Sequence, residues 1–81
     1  MLNQNEITII VKKACSIMLG GHVPASCMND TFIIDDEFSL SKFDFGLMRE
    51  LIHDKTNLNV PYKIFENSSI KDIVEYITKR I

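Results

Sequence analysis

Two serines, Ser39 and Ser41, carry the clearest chemical possibility in the chain, because both precede a stretch of helical periodicity that opens near Lys42. A hydroxyl at the mouth of a helix faces backbone N–H groups without intrahelical partners and the positive end of the helix dipole. It therefore caps the helix or holds a phosphate well. Ser41 with Asp44 three residues later also reads as a capping box, in which the serine is purely structural. Other chemistry-bearing residues are sparse. His22 and His53 are the only histidines and fall in different elements, and no paired short spacing such as C-x2-C or H-x3-H is present. Asp35-Asp36-Glu37 lacks the glycine and the alternating spacing of a calcium loop, so it reads as a solvated acidic turn. No metal centre is expected. An enzyme is not expected either, since a chain this short uses nearly all its apolar residues to close its own core.

Four elements must position these groups. Ile7, Ile10, Val11, Ala14 and Met18 form the stripe of an amphipathic helix from about Asn5 to Leu19, capped by Asn3 or Asn5 and stopped by Gly20-Gly21. His22 to Thr31 has no sustained period and contains Pro24, so it is a long ordered loop. Phe32, Ile33 and Ile34 are too apolar for water, and the loop is expected to lay them on the bundle before the acidic run turns outward. Phe45, Met48, Leu51 and Ile52, widened by Leu47, predict a second helix from about Lys42 to Lys55. Pro61 suits the first position of a short third helix through Phe65. Ser69 with Asp72 reads as a second capping box, and Ile70, Ile73, Val74, Ile77 and Ile81 stripe a fourth helix from about Ser69 to Arg80. Lys79 and Arg80 suit the negative end of its dipole. The expected fold is all-α, a small antiparallel four-helix bundle of three long helices and one short one. Phe32, Phe45, Met48, Leu51, Ile70, Ile73, Val74 and Ile77 should share a core with Ile10, Val11 and Ala14.

The chain has 81 residues, 46% hydrophobic and 25% charged, which allows one domain over 1–81 and no second core. Its net charge of −2, with no basic block, disfavours generic nucleic-acid binding. No apolar run reaches the roughly 18 residues of a membrane span, and Met1 to Gly20 lacks the pattern of a signal peptide, so a cytoplasmic location is expected. Cys15 and Cys27 are too few for a disulfide scaffold; both are expected to be buried, reduced and slow to react.

The order of parts resembles the acyl carrier and peptidyl carrier proteins. Pro24-Ala25-Ser26-Cys27-Met28 with Asp30-Thr31-Phe32 is similar to the family's first loop, and Ile34-Asp35-Asp36-Glu37-Phe38-Ser39-Leu40-Ser41 to the acidic lead-in before its attachment motif. Val60-Pro61, Ile64-Phe65-Glu66 and Ser69-Ile70-Lys71-Asp72-Ile73 through Tyr76-Ile77 resemble its third and fourth helices, the last especially as in peptidyl carriers. The resemblance spans Ile7 to Ile81. It implies a carrier whose serine is esterified by 4′-phosphopantetheine through a phosphopantetheinyl transferase. The thiol of that arm would carry acyl or peptidyl intermediates between synthase or ligase enzymes, in fatty acid, polyketide or nonribosomal peptide type biosynthesis. A monomer is expected. Partner docking is expected at Asp35, Asp36, Glu37, Lys42 and Phe43.

The attachment motif departs from the family pattern of Leu, Gly, any residue, then Asp-Ser-Leu. A gapless register puts Lys42 at the serine, Ser41 at the aspartate and Ser39 at the glycine, with Phe43-Asp44-Phe45 following. Anchoring on Ser41 keeps Phe45, Met48 and Leu51 on the core but inserts a residue before Pro61; anchoring on Ser39 needs two. Lysine does not accept the arm by this phosphodiester chemistry. The readings are therefore a carrier modified on Ser41, or alternatively Ser39, and a carrier-fold protein without the arm that acts as a binding or scaffold subunit. An unrelated small helical adaptor is a third class. Helix-two charges Lys42, Arg49, His53 and Lys55 offset Asp44, Glu50 and Asp54, so steering of basic partners by this helix should be weak.

Overall fold

Asn3 settles where the first helix begins. In the computed structural model, which describes residues 2–34 and 40–81, its side chain accepts from the Glu6 amide at 2.9 Å. The Glu6 carboxylate accepts from the Asn3 amide at 3.2 Å, completing a capping box. Helix α1 runs Gln4–Met18 and buries Ile7, Val11, Ala14, Cys15 and Met18. Its end is a Schellman motif: Gly20 and Gly21 take φ +70° and +80°, with Gly20 N–H donating to Ile17 O and Gly21 N–H to Ser16 O, both at 2.9 Å. The loop that follows contains one 3-10 turn, Ala25–Cys27, directly after Pro24.

Helix α2 spans Lys42–Thr56 and buries Phe45, Met48 and Ile52. It stops at Asn57, whose φ of 64° is one of the left-handed conformations asparagine tolerates, its N–H donating to His53 O at 2.8 Å. A single-turn helix α3, Tyr62–Phe65, follows Pro61. Pro61 is the cap of that turn and not its first helical residue, because its ψ of 146° is extended. Helix α4, Ile70–Thr78, buries Ile70, Ile73, Val74 and Ile77. It ends earlier than the Arg80 expected from the sequence, yet Arg80 still serves the terminus, donating to Tyr76 O at 3.2 Å and stacking 3.6 Å over the Tyr76 ring.

The long loop is tied to the start of α4. Ile70 N–H donates to Phe32 O and Lys71 N–H to Asp30 O, both at 3.0 Å, while Ile34 N–H donates to Ser68 O at 3.1 Å. The Ser69 hydroxyl accepts from the Asp72 amide at 3.1 Å. Donors that the first turn of a helix leaves without intrahelical partners thus find acceptors in the loop and the cap.

Among the described residues there are four α-helices and no strand, only an isolated bridge between Ile33 and Ser69. Helix α1 packs against both α2 and α4, and α3 touches α2 and α4. One hydrophobic cluster contains every buried residue among those described. Several expected core members lie at its margin. Ile10, Phe32 and Leu51 are only partly buried. Leu47, Ile33 and Ile81 are exposed. Ile33 is held by its backbone bridge, which turns its side chain outward while Ile34 goes fully inside. Ile81 lies beyond the end of α4, where the helical stripe no longer applies. Cys27 is also exposed, because the 3-10 turn puts Met28 inward in its place.

Candidate functional site at the start of helix α2

The site grows from the Ser41 cap. Ser41 has extended dihedrals, φ −95° and ψ 172°, which makes it the N-cap and Lys42 the first helical residue. Its backbone N–H donates to Asp44 Oδ2 at 2.9 Å, its hydroxyl donates to the same oxygen at 3.1 Å, and its Oγ accepts from the Asp44 amide at a long 3.4 Å. Both readings of Ser41 therefore meet in one geometry: the side chain is exposed, and its hydroxyl is already engaged in the capping box.

Lys42 and Phe43 stand on the first turn and both are exposed, Phe43 at 91%. With Gly46, Arg49, Glu50 and Tyr62 they line an open groove of about 490 Å³ between the start of α2 and α3. Arg49 stacks across it, its guanidinium carbon 5.4 Å from the Tyr62 ring centroid. The Arg49 Nε is buried without a hydrogen-bond partner. A Cβ on Gly46 would meet the Tyr62 hydroxyl at 3.7 Å, an ordinary contact distance. Cations at Lys42 and Arg49 thus frame two aromatic rings, with Glu50 the one carboxylate among the described residues that line the groove.

The structure brings together Ser41, Lys42 and Phe43. Ser39, Asp35, Asp36 and Glu37 lie outside the described residues. Arg49 and Tyr62 were not among the residues expected at the site. No local signal in the sequence pointed to them, because their pairing depends on how α3 lies against α2.

The remaining reactive groups are dispersed. His22 and His53 are exposed on separate elements, and among the described residues no three His, Cys, Asp or Glu side chains come together as a metal-binding group. Cys15 is fully buried, and burial pushes its thiol up to about 11. Among the described residues no helix is long and apolar enough to cross a membrane. No protein-family model, curated protein or solved structure matches the chain.

A phosphopantetheine arm can be tested against this geometry. Its acceptor must be an exposed oxygen at the positive end of a helix, and Ser41 Oγ meets both conditions at the mouth of 15-residue α2. Lys42 adds a positive charge beside it. Against it stands the Asp44 carboxylate 3.1 Å from Oγ, which would lose that hydrogen bond and face the phosphate's like charge if the oxygen were esterified. The bond from Ser41 N–H to Asp44 is independent of Oγ and holds the cap meanwhile. The residues fit the group.

Proposed function

We propose that this chain is a carrier-type helical domain of the acyl or peptidyl carrier kind, with Ser41 the acceptor of 4′-phosphopantetheine. The observation that carries this reading is an exposed serine hydroxyl at the mouth of α2, two residues from the almost wholly exposed ring of Phe43. When bound, the arm would supply a thiol that holds acyl or aminoacyl groups as thioesters. The chain's own residues do the rest. The α2 dipole and Lys42 favour a phosphate at Ser41, and the Asp44 carboxylate keeps the first turn closed through the Ser41 amide. Phe43 offers a transferase or a synthase an aromatic anchor whose burial it lacks in the free domain.

A second reading is favoured by a specific observation. Lys42 is the first residue of α2, at the position the gapless register gives to the acceptor serine, while Ser41 is committed to the cap. On that reading the chain has the carrier fold without the arm, and the groove of Lys42, Phe43, Arg49 and Tyr62 is the docking face of a non-catalytic subunit.

The experiment that separates them treats wild type, Ser41→Ala and Ser39→Ala with coenzyme A and a promiscuous phosphopantetheinyl transferase, and reads intact mass. Gain of the arm's mass in wild type and Ser39→Ala but not in Ser41→Ala supports the first reading. Loss only in Ser39→Ala moves the acceptor to that residue. Wild type left unmodified overturns the carrier reading in favour of the arm-less one.

A further inference from the structure

Away from the Ser41 end, the outer seam between α1 and α2 is apolar and open. Ile9, Ile10, Ala14 and Ile17 of α1 meet Leu51 of α2 along a groove of about 210 Å³, and Lys13 and Lys55 stand over it. Ile9 and Ile17 are 53% and 54% exposed, far more than a helix stripe leaves in water when its partner is within the same chain. Leu47, 44% exposed, extends the row one turn back from Leu51 on α2. From Ile9 to Ile17 the ridge is about 12 Å long at the usual helical rise, the length of two turns. Such a ridge with a parallel row opposite it is the form of a groove that receives a third helix.

Charge decides which helix. Among the described residues the groove is lined by two lysines and no carboxylate. The one ion pair among them joins Lys12 to Asp30 at 3.6 Å, so neither Lys13 nor Lys55 has an acidic partner in the described part of the chain. Two copies joined groove to groove would bring like charges together, which disfavours a symmetric dimer. Hence we infer that the α1–α2 groove docks an acidic amphipathic helix of a partner protein, its apolar residues between Ile9, Ile17 and Leu51 and its carboxylates on Lys13 and Lys55. The inference does not depend on the carrier reading, since it uses neither Ser41 nor the face of α2 that carries Lys42, Gly46 and Glu50.

The test uses the full chain labelled with 15N and two synthetic helical peptides of about 18 residues, five turns. Both carry leucines at i, i+4 and i+7; one is flanked by glutamates and the other by lysines at the same positions. The acidic peptide is expected to bind about tenfold more tightly than the basic one, in keeping with two partly exposed charge pairs. Amide shifts should centre on Ile9, Ile17 and Leu51. The double variant Lys13→Glu/Lys55→Glu, at exposed positions where folding is not at stake, should reverse the order of the two peptides. Equal affinity for both peptides, no binding of either, or shifts confined to Lys42–Glu50 would overturn the inference. So would a concentration-dependent dimer, seen by sedimentation, that Ile17→Lys abolishes, because the occupant would then be a second copy.

Discussion

The rings of Phe45 and Phe65 lie nearly parallel, 6° apart, with centroids separated by 6.1 Å. This pair joins α2 to the single turn α3, an element too short to hold its shape by its own hydrogen bonds. Phe65 is completely buried, so Phe65→Ala removes both the ring contact and the anchor of α3. The expected loss is about 3 to 5 kcal/mol, a large part of what a small domain has. Urea titration followed by circular dichroism reads it; a midpoint unchanged from wild type would show that α3 is not anchored this way.

The two serine caps give a second prediction. Ser41→Ala and Ser69→Ala each remove a side-chain acceptor from a capping box, at a cost of about 1 kcal/mol apiece. Because the Asp44 amide approaches Ser41 Oγ only to 3.4 Å whereas the Asp72 amide reaches Ser69 Oγ at 3.1 Å, the Ser69 variant should melt lower. Parallel thermal melts test the order, and Ser41→Asp, which restores an N-cap acceptor, should recover the Ser41 loss.

Two glycines should respond to alanine with opposite signs. At Gly21 the φ of +80° is the obstacle, since nothing lies within 4 Å of the Cβ that alanine would add; Gly21→Ala should cost about 1 kcal/mol through the backbone alone. At Gly46, inside α2, an added methyl would only touch the Tyr62 hydroxyl at ordinary contact distance. Gly46→Ala should therefore stabilise by about 0.5 to 1 kcal/mol through helix propensity. Equilibrium unfolding of the two variants checks both signs.

The thiols separate by location. Cys27 is exposed and should react promptly with a thiol reagent in the native protein, while Cys15 should react only as the chain opens. Burial raises the Cys15 thiol from 9.0 to about 11, so the folded state holds this proton more tightly than the unfolded state does. The resulting stability is fully present below pH 9 and is lost as pH rises from 9 towards 11. Comparison of wild type with Cys15→Ala should show a steeper alkaline fall in wild type; equal slopes would rule out this origin.

Helix positions were legible because they are written in local signals. Asn3, Gly20-Gly21, the Ser41–Asp44 box and the Ser69–Asp72 box each act within a few residues, and each operates in the structure. Periodicity also found the inward faces of α1, α2 and α4. What local pattern did not reveal was set by distant parts of the chain. The outward turn of Ile33 follows from its bridge to Ser69, and the exposure of Cys27 from how the 3-10 turn places Met28. At the candidate site the Ser41 cap was readable, but the stack of Arg49 on Tyr62 depends on how α3 falls against α2. A hydrophobic stripe says that a face is apolar and not whether the chain itself covers it, which is why Leu47 read as core and stands at the surface.

The acceptors that Asp30 and Phe32 provide for the first amides of α4 make the chain's last helix conditional on its first long connection. With nine residues, α4 is below the roughly 12 to 15 that an isolated helix needs in water. Its start is completed by carbonyls nearly half the chain away, so the cost of closing that span is met before α4 is fully formed. During folding, α4 is accordingly expected to consolidate after the long connection has docked. In the native state, undocking that connection releases the Ile34, Ile70 and Lys71 amides together, as one cooperative unit of hydrogen exchange.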